Sequence, residues 1–389
     1  RPVNNDPASL SHRMVDCFAE NKDGDIWIGT DGGGLNLFHR KTGKFTHLTN
    51  EKKKTGGIQS NTILSLLKST KDGGIWIGSY DAGLSYYVPK TNSFIYYSKG
   101  KDSIHLSDKA VYALMEDNKG QLWIGTNEGG INVLDRNTQT FTKFLSGPMD
   151  GDHLSNNCIR ALYQHTDGNV WIGTYNSGIN IYNPITKRFT YLDKRSSNIS
   201  NDIVFCIHRD NKGNIWVGTM GGLNLYDEKK QRFISFTEEN GLANNVINSI
   251  QEDIYGYLWL STKKGISRFD PLAKKFKNYS LYNGLQSYEF LSGSGFKSST
   301  GEIYFGGVNG FNVFNPEKMP ENFSIPPVVI TDFQLFNATV PIGEESPLSK
   351  HISVADSITL PFGKSVMSFE FAALDYTISE KNQYAYMLE

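Results

Sequence analysis

Residues 23–38 read DGDIWIGTDGGGLNLF, and the same string returns six more times along the chain. The copies are DGGIWIGSYDAGLSYY from 72, KGQLWIGTNEGGINVL from 119, DGNVWIGTYNSGINIY from 167, KGNIWVGTMGGLNLY from 212, YGYLWLSTKKGISRF from 255 and TGEIYFGGVNGFNVF from 300. All six tryptophans share one slot (Trp27, Trp76, Trp123, Trp171, Trp216, Trp259), and Tyr304 takes it in the last copy. Successive slots are 49, 47, 48, 45, 43 and 45 residues apart. A period in the forties with room for about four short strands is the signature of propeller blades. The three glycines at 32–34 also suit a phosphate-cradling turn, but that turn needs a helix behind it. Leu35, Asn36, Leu37 and Phe38 instead keep the two-residue alternation of a strand. A glycine pattern repeated in every copy serves architecture.

Each repeat reads as four strands. In the fourth, Asn157–Tyr163 is apolar, the turn Asp167-Gly168 leads to Val170–Thr174, and Gly178–Tyr182 and Arg188–Tyr191 follow. Asp-Gly and Lys-Gly supply the positive φ of tight hairpins. One Trp per repeat, burying about 150–250 Å², is expected to fill the gap between adjacent sheets.

At 389 residues the chain exceeds the usual single-core size, a limit that a ring of small sheets avoids because each interface is its own core. With 39 basic and 40 acidic residues and no arginine-rich run, bulk electrostatic binding of nucleic acid or of a membrane surface is not expected. No apolar run approaches the roughly 18–20 residues that span a bilayer. The start at Arg1-Pro2-Val3, without Met or signal peptide, reads as an excised or mature fragment. Cys17 and Cys206 lie ten residues before their tryptophans, where other repeats carry Leu66, Ala113, Ala161, Ser249 and Ser294, and Cys158 matches Met14, Ile63, Ala110, Ile203, Val246 and Leu291. These are small or apolar core slots, so buried free thiols are expected.

The texture changes after Pro320. PENFSIPPVVITDFQLFN reads as a proline-rich linker feeding a strand, and SITLPFGKSVMSFEFAALDYT as two more strands. The expected fold is all-β: a seven-bladed β-propeller over 1–320, followed over 325–389 by the start of an immunoglobulin-like β-sandwich. Such a sandwich takes about 100 residues, so an incomplete, poorly ordered second domain is expected. The seventh repeat lacks a clear fourth strand, because Met319–Ile325 reads as linker; residues before Arg1, or the run Val328–Phe336, are the candidates to supply it.

The repeat LSNNCIRALYQHTDGNVWIGTYNSGINIYNP resembles the regulator propeller repeat of two-component sensors, and the tail SFEFAALDYTISEKNQYAYMLE resembles the opening of the tyrosine-rich sandwich domain that follows those repeats. The resemblance covers nearly the whole chain. It implies the periplasmic region of an inner-membrane hybrid histidine kinase, a family common in polysaccharide-digesting gut bacteria. By that analogy the chain is a second propeller with part of the sandwich, preceded by another propeller and paired with a second copy of the sensor. The resemblance also implies oligosaccharides or related breakdown products as ligands, with no cofactor.

The repeat itself indicates where a ligand would sit. Turns between first and second and between third and fourth strands share one face and are uniform; the other face carries the loops that differ, where function usually resides. From Trp to the glycine opening the third strand takes seven residues in repeats 1–4 (Gly34, Gly83, Gly130, Gly178) and six in repeats 5–7 (Gly222, Gly265, Gly310). The connectors 49–59, 98–106 and 145–154 number 11, 9 and 10 residues, against 7, 6 and 8 for 193–199, 237–242 and 280–287. Both loop sets enlarge one sector, so the contact surface is expected over repeats 1–4. Its loops carry Asp31, Tyr80, Asp81, Asn127, Glu128, Tyr175 and Asn176. A variable position eleven before each Trp adds Asp16, Ser65, Tyr112, Arg160, Phe205, Asn248 and Gly293. The candidate ligand-binding set is Asp31, Tyr80, Asp81, Tyr112, Asn127, Glu128, Arg160, Tyr175 and Asn176. Aromatic faces flanked by carboxylates, amides and an Arg suit a polyhydroxylated or anionic ligand. The same pattern also suits a solvated rim, with Arg160 and Asp16 lining a water-filled channel, or a protein contact.

A propeller lyase would place a metal and histidines on that face, and His12, His105 and His153 map there. No His-x-His or His-Glu-x-x-His spacing and no Ser-His-Asp constellation occurs, so neither a metal site nor catalysis is expected. The remaining alternative is a propeller that only holds proteins.

Overall fold

In the fourth repeat, Ile159–Gln164 pairs with Val170–Thr174, which pairs with Ile179–Asn183, which pairs with Arg188–Leu192, antiparallel throughout. The computed structural model describes residues 1–3, 6–50, 56–319, 327–360, 363, 366–374 and 387. The chain divides into two compact parts, Arg1–Met319 and Pro320–Glu389. The first is all-β and consistent with a β-propeller: six four-stranded sheets and a last three-stranded one, each of consecutive strands. Every first hairpin turns on a glycine of positive φ, from Gly73 at 74° to Gly213 at 92°. That is the conformation the Asp-Gly and Lys-Gly pairs were expected to supply.

The second strand is wholly buried in every sheet, as in Ile26–Thr30 and Val170–Thr174. Its Trp lies between neighbouring sheets, with Trp76, Trp216 and Trp259 each at most 2 % exposed. The indole N–H groups donate to carboxylates: Trp216 to Asp210 at 2.8 Å, Trp259 to Asp253 at 2.8 Å and Trp123 to Asp117 at 2.9 Å. Two residues after the Trp, the glycine lets sheets approach. A Cβ on Gly29 would lie 2.4 Å from Cys17 Sγ and 2.8 Å from Ile63 Cγ2 of the next sheet, and one on Gly218 would meet Cys206 and Ile247 in the same way.

The ring closes by repeating its internal interface. Each innermost strand packs on the next, and Phe290–Lys297 packs on Val15–Glu20. Ser294 Oγ donates to the Val15 carbonyl at 2.8 Å, as Ser65 Oγ donates to that of Val111 at 3.1 Å. A polar end residue of one inner strand accepts from the turn of the preceding sheet: Glu116 Oε2 from the Thr70 N–H at 2.8 Å, Glu252 Oε2 from Asn211 at 2.9 Å. At the seam Glu20 Oε2 accepts from Ser299 at 2.8 Å, and Arg40 bonds Glu302 and Thr300. This closure leaves the seventh sheet three-stranded among the described residues.

Three sequence expectations are corrected here. Val328–Leu335 does not supply the missing fourth strand; it pairs with Met367–Ala373 and Ala338–Thr339 in a separate sheet. In the second sheet Trp76 pairs with Leu67, nine residues earlier, whereas Trp27 pairs with Ala19 and Trp171 with Tyr163, eight earlier. The first turn there is one residue longer, so counting back from the Trp slips by one. Ser65, not Leu66, faces Gly78 in the Cys17 slot; Leu64 takes the channel position assigned to Ser65; and Thr62, not Ile63, matches Cys158. Finally, Cys17 is buried, but Cys158 and Cys206 are only partly so; all three thiols are free.

The second part holds a three-stranded antiparallel sheet with a small core of Phe333, Leu335, Val340, Leu348 and Ile352. Of the two strands expected in 357–377, Met367–Ala373 forms, and 357–360 is not a strand. The linker 320–326 and the tail from 375, apart from Met387, lie outside the described residues.

Candidate functional site at the channel mouth

In sheets 1–6 the inner strand begins two residues before the small residue that faces the second strand's glycine (Ser261 in the sixth), and a register shift there sets apart the intervening residue. The shift falls between Ile159 and Ala161 in the fourth sheet and between Val15 and Cys17 in the first. The residues so set apart, Asp16, Leu64, Tyr112, Arg160 and Phe205, line a central cavity of about 570 Å³. Phe18, Leu66, Leu114, Leu162, Ile207 and Ile250 form its apolar wall. Ser65, His208, Ser249, Gln251 and Ser292 add polar groups, so the lining is mixed.

Arg160 is the centre of the arrangement. Its Cζ lies 3.6 Å from the Tyr112 ring centroid and 5.3 Å from that of Tyr175. Its Nη2 donates to Asn127 Oδ1 at 3.0 Å, an oxygen that also accepts from Cys158 Sγ at 3.5 Å. Its Nη1 is buried with no hydrogen-bond partner. Burial pushes the Tyr112 phenol up, against the opposing effect of Arg160. Asn127 belongs to the third sheet and Arg160 to the fourth, so the contact crosses a sheet interface. On the other side of Asn127, a second cavity of about 480 Å³ lies among Glu128, Ser146, Ser155, Asn156, Asn157 and Cys158. Its walls are amides, hydroxyls, one carboxylate and one thiol.

Of the expected set, the structure gathers Tyr112, Asn127 and Tyr175 around Arg160 and places Glu128 with Asn127 at the second cavity. Tyr80 sits at the rim, 52 % exposed, close enough to influence Tyr112 electrostatically. Asp31 is drawn instead toward the first sheet's side of the channel, where Thr62 Oγ1 donates to it at 3.1 Å. Asp81 is exposed and lines neither cavity, and Asn176 is held by its backbone N–H on the Asp202 carbonyl at 3.2 Å. Ser146, Ser155, Asn156 and Asn157 were not foreseen. The signal for Ser155, Asn156 and Asn157 was the Leu154-Ser155-Asn156-Asn157 string before the inner strand, whose Leu-Ser pair returns at Leu10-Ser11 and Leu106-Ser107; its buried leucines and serine–amide bonds, such as Ser155 N–H to Asn180 Oδ1 at 2.8 Å, are structural.

The connector difference has a physical form. Those leaving sheets 4–6 wind into short helical turns, Lys194–Ser197, Glu238–Asn240 and Leu281–Asn283. Those leaving sheets 2 and 3 form loops of bends and turns, closed by the bridges Lys99–Leu106 and Ser146–Leu154.

Two other buried groups face the channel. Asp16 Oδ2 has no partner, and burial, with Asp31 adding repulsion, pushes its carboxyl up to about 7. His208 Nε2 makes no hydrogen bond, and burial lowers the ring to about 4. The loop histidines serve their own loops: His105 bonds Asp102, His153 Nδ1 lies 3.2 Å from Asp150, and His12 Nδ1 accepts from the Met14 N–H at 3.3 Å. No group of three or more potential metal ligands occurs among the described residues.

Comparison with known proteins gives this geometry a context. The profile described as "Two component regulator propeller" matches residues 9–32, 105–128, 153–176, 198–221 and 241–264. The two unmatched repeats are the second, with its longer turn, and the seventh, without its Trp. The extracellular domain of a hybrid two-component system of B. thetaiotaomicron (BT3049) is 28 % identical, with a TM-score of 0.77 over 97 % of this chain and 49 % of that one. Histidine kinase P4 of Formosa agariphila is 33 % identical over 105 residues, which are 27 % of this chain and 8 % of that protein. The chain therefore spans about half of the solved relative and a small fraction of the curated one. A virginiamycin B lyase from Staphylococcus aureus, 14 % identical with a TM-score of 0.60, covering 78 % of this chain and 96 % of its own, shares the fold alone. No helix of the described residues is long and apolar enough to cross a membrane.

Proposed function

We propose that this chain, a non-catalytic propeller-repeat domain homologous to the extracellular or periplasmic domains of two-component sensor histidine kinases, is a ligand-sensing platform for oligosaccharides. We read its seven sheets as seven blades, and the part after 325 as the beginning of an immunoglobulin-like sandwich. The observation that carries the reading is the cluster of Tyr112, Asn127, Arg160 and Tyr175 between a 570 Å³ and a 480 Å³ cavity. Aromatic faces accept sugar rings, and amides and hydroxyls fixed by the backbone order their hydroxyl groups. The inner strands behind them are held by buried second strands, so the site is built on rigid elements.

Signalling then follows from differential affinity. A saccharide that binds one arrangement of a sensor dimer better than another biases the attached kinase toward it. In this reading the propeller is a stiff platform, and a second copy and a preceding propeller are its partners. Equal chain-to-chain geometry in free and saccharide-bound periplasmic regions would rule that step out.

A second reading is favoured by exposed apolar groups on the same loops: Tyr80, Tyr175 and Met220 are 52, 43 and 46 % exposed. Such a rim also suits protein docking alone. Thermal unfolding against plant and host oligosaccharides separates the two. Ligand at about 100 times its Kd adds about 2.7 kcal/mol, visible as a melting shift; the docking reading predicts no shift with any saccharide.

A further inference from the structure

We propose that the saccharide bound at this mouth carries an anionic group, a carboxylate or a sulfate, that docks on Arg160. The inference rests on the sugar-sensing reading and adds the charge of the ligand. Two other partly buried arginines of the propeller are neutralised: Arg136 by Glu116 at 3.2 Å and Asp72 at 3.1 Å, and Arg40 by Glu302 and Glu20. Arg160 has no ion pair among the described residues; neutral groups alone hold its side chain, the Asn127 amide and the Tyr112 phenol, and Nη1 bonds nothing. Glu128 on the neighbouring loop is exposed and uses its backbone N–H on Asp108 at 3.0 Å. Asp16, the other channel carboxyl, is influenced by Asp31 rather than by Arg160.

A partly buried guanidinium without an ion pair is a costly arrangement unless an anion completes it. Its fork geometry matches a carboxylate or a sulfate oxygen pair, and the low dielectric strengthens that attraction. Stacking on Tyr112 and the bond donated to Asn127 hold the fork in place beforehand, which lowers the ordering cost of binding. Nη1 has no water-accessible surface, so the anion reaches it only as neighbouring side chains shift.

The test is calorimetric titration of the whole chain, at low and moderate salt, with trigalacturonate, its neutral methyl ester, a sulfated chondroitin disaccharide and a panel of neutral plant and host oligosaccharides. Wild type is compared with Arg160→Gln and with Arg160→Lys, which keeps the charge but loses the fork and serves if the first variant does not fold. The expected result is binding confined to acidic members, weakened by added salt and by about tenfold or more in Arg160→Gln. Preference for trigalacturonate or for the sulfated disaccharide identifies the anion. Neutral saccharides that bind as tightly and ignore Arg160→Gln overturn the anion assignment while leaving sugar sensing intact. Binding of none overturns both.

Discussion

The same inner strands carry two very different sets of side chains. Those facing the neighbouring sheet repeat around the ring: a small residue at Cys17, Ser65, Ala113, Ala161, Cys206, Ser249 and Ser294, opposed by a glycine or, once, by Ser261. One position earlier, facing the axis, Asp16, Leu64, Tyr112, Arg160 and Phe205 share neither size nor charge. Where one packing problem recurs, one solution recurs. Where the residues differ, packing does not dictate them, and the channel mouth is free to be shaped by what it meets.

The largest test of this contrast is on the repeated side. Trp216→Ala removes a side chain 2 % exposed and leaves Asp210 without its indole donor, so it should cost about 3–5 kcal/mol in denaturant unfolding. A cost under 1 kcal/mol would mean that the Trp column is not what holds the sheets. Glu116→Ala comes next. It strips Trp76 Nε1 and Thr70 of an acceptor and leaves Arg136 with Asp72 alone, and a loss of about 2–4 kcal/mol is expected.

On the variable side Asp16→Asn is expected to act through pH. The Asp16 carboxyl is pushed up to about 7 from 3.8, so the folded state holds its proton more tightly than the unfolded chain. This group's contribution is fully present below pH about 4 and is lost as pH rises through about 7. Asparagine removes that loss. The stability of the variant relative to wild type should rise between those values by at most about 4 kcal/mol, at 1.36 kcal/mol per unit. A difference independent of pH would remove the buried carboxyl from the account. The smallest stability effect is expected for Tyr175→Ala, within about 0.5 kcal/mol, because the ring is 43 % exposed.

The repeat was legible because each constraint is written several times over: the Trp slot, the hairpin glycine and the apolar second strand all lie where the spacing put them. Reading failed where one copy departs from the rest. The extra turn residue between Lys68 and Trp76 moved three assignments by one place. Closure of the ring was not legible, because Glu20 and Ser299 latch across almost the whole chain through an interface that looks local only in space. At the site, Tyr112, Arg160 and Tyr175 were found by their variability, but the bond from Arg160 to Asn127 links two repeats, and no single-repeat pattern encodes it. Asp81 and Asn176 entered the set by loop position alone, and neither lines the two cavities.

The central claim is that ligand response belongs to the enlarged sector, and one paired comparison tests it most directly. Tyr175 and Lys263 occupy the same loop position, four residues after Trp171 and Trp259, on opposite sectors of the ring. Thermal unfolding of Tyr175→Ala and Lys263→Ala, each with and without the acidic and neutral saccharides described above, measures both at once. The account predicts a saccharide-induced rise in Tm that Lys263→Ala keeps and Tyr175→Ala loses, with both unliganded Tm values near wild type. A rise that survives Tyr175→Ala, or one that Lys263→Ala abolishes, would contradict it.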